Sequence, residues 1–141
     1  MNTYVPLVQK FAARVVLFHS AVAAKLGLPV SDLKCLRILG QGSMTPSVLR
    51  EEIGLSGPAM TALLDRLEKA GYVVRERSSK DRREVFVRSV PMRIREIDRQ
   101  YDGQYEQMSE LFAKYSASEF AAIADFLEQT AAILAEEQIR L

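Results

Sequence analysis

The chain has one cysteine and one histidine in its whole length, and each scarcity excludes a class of chemistry. Cys35 alone permits no intramolecular disulfide, which points to a reducing compartment. His19 alone cannot supply the ligand cluster of a zinc site, so no metal and no cofactor is expected. A nucleophile, a base and an orienting group cannot be assembled from one His and one Cys, so the chain is not expected to be an enzyme. The stretch from Met1 to Ser20 lacks the basic lead of a secretory signal, and Lys10 and Arg14 interrupt its apolar run. No membrane partner is therefore expected, and the localisation is read as cytoplasmic. Net charge is nearly absent too, at +1, which argues against a protein that coats nucleic acid without selectivity. Internal repeats and low-complexity segments are missing.

What is present is apolar content of 48% over 141 residues, enough to bury a core in one domain, 1–141. The charge that exists is sorted along the chain. Residues 1–49 carry Lys10, Arg14, Lys25, Lys34 and Arg37 against Asp32 alone, whereas residues 98–141 hold 9 acidic side chains against 3 basic ones. A basic front can face phosphate while an acidic tail faces solvent or a partner.

Apolar spacing predicts the elements. Val8, Phe11, Val15, Phe18, Val22 and Leu26 recur at helical steps and define a long first helix ending near Gly27. Ser31 is expected to cap a shorter helix carrying Leu33, Leu36 and Leu39, closed by Gly40 and Gly42. Thr45-Pro46 reads as an N-cap followed by the first helical residue, and Gly54 stops the helix that it opens. Ser56-Gly57-Pro58 repeats the signal and starts a helix with Met60, Leu63, Leu64 and Leu67 on one face, running to Ala70 before Gly71. Two short helices a tight turn apart are the sequence form of a helix-turn-helix. Residues 72–77 and 85–88 then read as two strands around the charged loop 78–83, a wing that must lean on the helices because so short a hairpin is unstable alone. From Val90 onward the chain is helical again, with a break at 115–118 and Ser118 as the N-cap of the last helix. Phe120, Ile123, Leu127, Ala131 and Leu134 form its stripe, which Phe126 and Ile133 widen until a second partner is required. The fold class expected is mainly α with a small β-hairpin wing, a winged helix-turn-helix flanked by N- and C-terminal dimerisation helices. The lobe covers about 30–90, and the dimerisation helices about 1–27 and 91–141.

If Met60, Leu63, Leu64 and Leu67 point inward, Pro58, Thr61, Ala62, Asp65 and Lys69 point outward, with Arg66 at the flank. That face would enter the major groove. Thr61 suits a base edge or a thymine methyl, Arg66 and Lys69 suit phosphates, and Ser56 sits where helix N-termini meet phosphate. Asp65 is better read as the i, i+4 partner of Lys69 than as a DNA contact. Pro58 and Ala62 offer no hydrogen bonds, so shape readout gains weight. The loop Ser78 to Arg83 sets Lys80, Arg82 and Arg83 around Asp81. Beside a helix-turn-helix such a tip suits a narrow, negative minor groove. Cys35, among leucines, reads as a small buried hydrophobe.

Residues 44–88 resemble the winged-helix core of the MarR family of bacterial regulators, most specifically in Leu67-Glu68-Lys69-Ala70-Gly71 and Asp81-Arg82-Arg83. The order of the flanking elements matches as well. The resemblance implies a dimeric repressor that binds a pseudo-palindromic operator in double-stranded DNA as a homodimer, released by a small ligand. It also implies that Asp81 braces Arg83 as that arginine enters the minor groove. A further implication is an aromatic or phenolic anion bound between the dimer helices and the lobe, where Arg14 or His19 would serve. Two departures stand out: Ala62 replaces a basic or polar groove residue, and the wing exit reads Ser89-Val90-Pro91-Met92-Arg93, where Ser89 is expected to supply the cap. The competing function is a winged-helix protein-interaction module without DNA binding, which the basic wing opposes.

Overall fold

In the computed structural model, which describes residues 3–141, the chain runs α1 (Tyr4–Leu26), α2 (Val30–Leu39), α3 (Pro46–Ile53), α4 (Gly57–Lys69), β1 (Val73–Arg77), β2 (Val85–Ser89), α5 (Pro91–Asp98), α6 (Asp102–Phe112) and α7 (Ala117–Arg140). Up to the hairpin the element order is the expected one, and beyond it the helical stretch expected to run to residue 115 is divided into α5 and α6. Met1 and Asn2, the start of the expected first dimerisation helix, lie outside the described residues. The chain divides into two compact units, one up to Ile97 and one from Asp98 to Leu141.

In the first unit most of the buried apolar side chains come from α2, α3, α4 and the hairpin. Leu33, Leu36, Leu39, Leu49, Met60, Leu63, Leu64, Leu67, Val73 and Val87 are all buried, and each such burial contributes about 1.5–3 kcal/mol relative to exposure. α1 ends as its sequence dictates, with Gly27 at φ 68° donating to the carbonyls of Ala23 and Ala24. Its burial is confined to Val22 and Ala23. Of the apolar stripe, Phe11 remains 60% exposed and Val15 and Phe18 37% each.

Both Pro-opened helices start as expected. Thr45 and Ser56 are extended, and their hydroxyls accept from the N–H groups of Val48 and Ala59, each at 3.3 Å. The hairpin pairs Val73 with Ser89 through to Arg77 with Val85. Met44 joins its edge, donating to the Val87 carbonyl at 3.0 Å and accepting back at 2.7 Å. That bridge roots the wing in the residues leading to α3 and leaves no mark in the apolar pattern.

Three caps differ from expectation. α2 begins at Val30, one residue before Ser31, because Pro29 is extended and its carbonyl already accepts from Leu33; the Ser31 hydroxyl donates instead to Asp32. In α7 the N-cap is Ser116 rather than Ser118. Ser116 and Glu119 form a reciprocal capping box that satisfies two backbone donors, which Ser118 could not match. Ser89 does not cap α5. It ends β2 with its hydroxyl 3.5 Å from the Leu39 carbonyl, while Val90 donates to Tyr72 and the Arg93 guanidinium stacks 4.0 Å over the Tyr72 ring. The wing-to-helix junction is thus held by a stacked cation and a backbone bond.

In the second unit Phe112 meets Phe120 edge to face at 5.2 Å. α7 leaves Phe126, Leu127, Ile133 and Leu134 between 45% and 64% exposed, in keeping with a stripe too wide for one neighbour. The break between α5 and α6, at residues 99–101, carries no Gly or Pro and was not signalled by the pattern.

Candidate nucleic-acid interface

Because Met60, Leu63, Leu64 and Leu67 are all buried, helical geometry leaves Pro58, Thr61, Ala62, Asp65 and Lys69 as one exposed stripe on α4. Their chemistry is narrower than their residue types imply. The Thr61 hydroxyl donates to the Gly57 carbonyl at 3.1 Å, so its proton is committed within the helix. What it offers outward is an acceptor lone pair and a methyl group. Ser56 accepts the Ala59 N–H as N-cap and keeps its own hydroxyl proton for an acceptor such as phosphate oxygen.

Two charged residues of α4 have partners other than those expected. Arg66, expected to meet phosphate, is committed to Asp32 of α2, with Nη2 2.8 Å from Oδ1 and Nε 3.3 Å from Oδ2. The carboxylate is 2% exposed, whereas the Arg66 side chain is 52% exposed. Hydrogen bonding to Asp32 pushes the guanidinium pKa further up. A buried carboxylate needs a cation, and Arg66 supplies it while half of its own side chain stays exposed. Asp65 pairs with Arg75 of β1, Nη2 to Oδ1 at 2.6 Å, rather than with Lys69. Arg75 also donates its backbone N–H to Glu68 at 3.1 Å. Strand and helix are thereby clamped at one residue.

The wing loop is shaped from within. Ser78 accepts the N–H groups of Lys80 and Asp81, Arg77 Nη1 donates to the Arg82 carbonyl at 3.1 Å, and the Ser78 N–H donates to Glu84 at 2.9 Å. Asp81 Oδ1 accepts the backbone N–H of Arg83 at 2.9 Å. The carboxylate therefore grips the main chain at Arg83, a local turn that a short acidic side chain makes two residues on, where the resemblance implied a grip on the guanidinium. Lys80, Asp81, Arg82 and Arg83 are all exposed. On the strands, Arg88 pairs diagonally with Glu76 at 2.8 Å, which lowers the Glu76 carboxyl pKa. Asp32, Arg75 and Arg77 escaped the sequence reading. Each acts on a residue of another element or across the loop, where spacing carries no signal.

Cys35 is fully buried, and burial with the nearby Asp32 charge pushes its thiol up to about 12. It stays protonated, as a small hydrophobe should. His19 is pushed below its usual value by partial burial, then by Arg37 and Lys34. Arg14 is exposed on α1. Among the described residues no group of three His, Cys, Asp or Glu side chains is placed to hold a metal. By length and hydropathy alone α1 would pass for a membrane span. Arg14 near its middle opposes that, since an arginine at a bilayer centre costs about 2.5–3.5 kcal/mol on insertion scales.

A family model described as the MarR family matches residues 26–84. The uncharacterized HTH-type transcriptional regulator YcgE of Bacillus subtilis (strain 168) is 41% identical over 141 residues, covering 99% of this chain and 92% of that protein. Among solved structures, a mutant MepR from a multidrug-resistant S. aureus clinical isolate superposes with a TM-score of 0.76 at 17% identity, over 94% of this chain and 98% of that one. Another S. aureus MepR mutant, bound to an oligodeoxyribonucleotide, gives 0.62 at 18% over 95% and 99%. NadR in complex with 4-hydroxyphenylacetate gives 0.68 at 24% over 93% of each chain. These structures share the fold. With a winged helix-turn-helix between flanking helices and 41% identity to a relative along nearly its whole length, the chain belongs to the MarR family.

Proposed function

We propose that this protein is a sequence-specific regulator of transcription that binds double-stranded DNA in the cytoplasm as a homodimeric repressor. The observation that carries the reading is the pairing of two surfaces in one unit. α4 buries all of its large apolar side chains and turns Thr61, Ala62 and Lys69 outward, and the wing that follows ends in the exposed cations Lys80, Arg82 and Arg83. The helix suits a major groove and the tip a minor groove. In this reading Ser56, Lys69, Lys80 and Arg82 meet phosphates, Pro58, Thr61 and Ala62 face base edges, and Arg83 enters the minor groove. Arg66 and Asp81 act as supports rather than contacts. The DNA-bound MepR neighbour supports the same use of the fold.

A second copy covers the exposed apolar faces of α1 and α7, and two-fold symmetry then calls for a pseudo-palindromic operator. The phenolic ligand of NadR supports a small aromatic or phenolic anion as the releasing signal, with Arg14 and His19 on α1 as its cationic and polar contacts. An interaction module without DNA binding would have no use for an unpaired cationic tip.

Anisotropy titration of a labelled random duplex at two salt concentrations, followed by selection of bound duplexes from a random library, tests the proposal. Salt-dependent binding, and a selected sequence held at least about a thousandfold tighter than random DNA, are expected. No binding at low salt would overturn it.

A further inference from the structure

The exposed stripe of α4 carries an acid where a phosphate-facing helix would ordinarily exclude one. Asp65 lies one turn beyond Thr61 and Ala62, with its side chain 60% exposed. Left alone, its charge would repel the DNA backbone. It is not alone: Arg75 of β1 holds Oδ1 at 2.6 Å, and Arg75 is itself fastened to α4 through its backbone N–H on Glu68. The Arg75 guanidinium also reaches Glu68, Nη1 to Oε1 at 3.7 Å, so one cation serves two carboxylates, the nearer being Asp65, and the geometry is set before any DNA arrives. One carboxylate oxygen faces the arginine, and the other remains as an acceptor on the outward stripe.

We infer that Asp65 reads a cytosine in the major groove through the N4 amino group, and that Arg75 is the positioning residue that makes the contact possible. The inference rests on the DNA-binding reading above and names the base specificity of that same surface. Cytosine is the base that a lone acceptor prefers. Its N4 amino group is a donor with no ring acceptor beside it, whereas the N6 amino group of adenine adjoins N7, whose lone pair opposes a carboxylate. The rest of the stripe agrees. Thr61 has given its proton to Gly57, and Pro58 and Ala62 have no polar side-chain atoms, so the outward face between the N-cap and Lys69 presents acceptors and methyl groups. Such a face selects amino groups and thymine methyls and, apart from Arg66 at its flank, has no donor for guanine O6 and N7. Arg75 contributes in a way a lysine would not, because its planar fork fixes the Asp65 carboxylate through one nitrogen and reaches Glu68 through another, and its charge offsets part of the repulsion.

Selection of bound duplexes from a random library by the full-length protein, the Asp65→Ala, Asp65→Asn and Arg75→Lys variants tests this directly. The parent should show one position per half-site enriched in cytosine. Asp65→Ala should lose enrichment at that position and keep the others. Asp65→Asn should move it toward adenine, because an amide can both accept from N6 and donate to N7. On the parent's selected duplex, replacing that cytosine should cost the parent about ten- to a hundredfold in affinity and cost Asp65→Ala less than about threefold. Arg75→Lys should lose discrimination at that one position while binding random duplex as the parent does, an outcome that a merely structural role for Arg75 would not produce. If the parent selects a motif and Asp65→Ala or Asp65→Asn selects the same one at every position, the inference falls and the DNA-binding reading stands. If the parent binds no duplex, both fall. Should Asp65→Ala fail to fold by circular dichroism, the near-isosteric Asp65→Asn decides alone, by adenine or by unchanged cytosine.

Discussion

The Arg66 guanidinium lies against the Asp32 carboxylate, its Nη2 2.8 Å from Oδ1, although the two residues are 34 positions apart. The carboxylate is buried and the arginine half-exposed, and the pair joins α4 to α2. Removing the cation leaves a buried charge unpaired, whereas removing the charge leaves only a neutral polar group. Arg66→Ala should therefore lower Tm at pH 7 by on the order of 5 °C, and more than Asp32→Asn does. Thermal denaturation of both variants at pH 7 measures this, and a loss in Asp32→Asn as large as that in Arg66→Ala would show that the unpaired carboxylate is not what destabilises the Arg66 variant.

The wing separates two ways in which an acid can support an arginine. Asp81 accepts the backbone N–H of Arg83, a bond that an asparagine oxygen can also accept. Asp81→Asn should therefore retain operator binding and Asp81→Ala should weaken it, while a brace on the guanidinium would make both weaken it. Lys80→Ala should make the slope of log affinity against log salt shallower by about 0.9. Arg83→Ala should exceed its electrostatic share, since groove width is read there too. Titrations against one selected duplex at three salt concentrations distinguish these outcomes.

Thr61 presents an acceptor and a methyl group, its proton being held by Gly57. Thr61→Ala should cost about 1–3 kcal/mol on the operator and little on random DNA. Thr61→Val keeps a methyl and should recover part of the loss if a thymine methyl is the target. Equal losses on both duplexes would mean that Thr61 only positions the helix.

The uncovered face of α1 makes the assembly testable without touching the core. Phe11 is 60% exposed, so Phe11→Glu should leave the lobe folded while placing charge in an apolar interface. Light scattering should give about twice 15.8 kDa for the parent and a lower mass for the variant at the same concentration, with operator affinity falling in step as two half-sites lose their link. A monomeric parent that binds its operator tightly would refute the dimer.

His19 supplies the pH dependence. Its pKa in the folded chain lies below the ordinary histidine value of 6.5, so the unfolded chain takes up the proton more readily. Its contribution is thus fully present above 6.5 and is lost as pH falls through 6.5 toward the folded value. His19→Gln should flatten that part of the stability curve, as read by denaturant midpoints between pH 7.5 and pH 5.5. An unchanged curve would show that His19 is not the group responsible.

The elements of the lobe and their inward faces were legible in the residues themselves. Thr45-Pro46 and Ser56-Gly57-Pro58 start helices because an extended residue with a side-chain oxygen accepts an N–H group of the first turn, where proline adds no N–H that needs a partner, and both do so here. Met60, Leu63, Leu64 and Leu67 are buried because their spacing puts them on one side of a 3.6-residue helix. Competition between adjacent signals was harder to read. Ser116 and Ser118 are both good caps, and Glu119 at the third position from Ser116 decided between them. The bridge of Met44 to Val87 and the break after Asp98 left no local mark at all.

By itself the sequence determined which faces are apolar, where helices start and which loop carries cations, because these depend on bond geometry and on neighbours within about four residues. The tertiary structure alone decided which charge meets which. Arg66 pairs with Asp32 of another helix, Asp65 with Arg75 and not with Lys69, and Arg77 with the Arg82 carbonyl. Such pairs form between elements whose distance and crossing are set by core packing. A side chain that suits a phosphate when read along the chain is claimed first by the buried or clamped carboxylate that packing brings beside it.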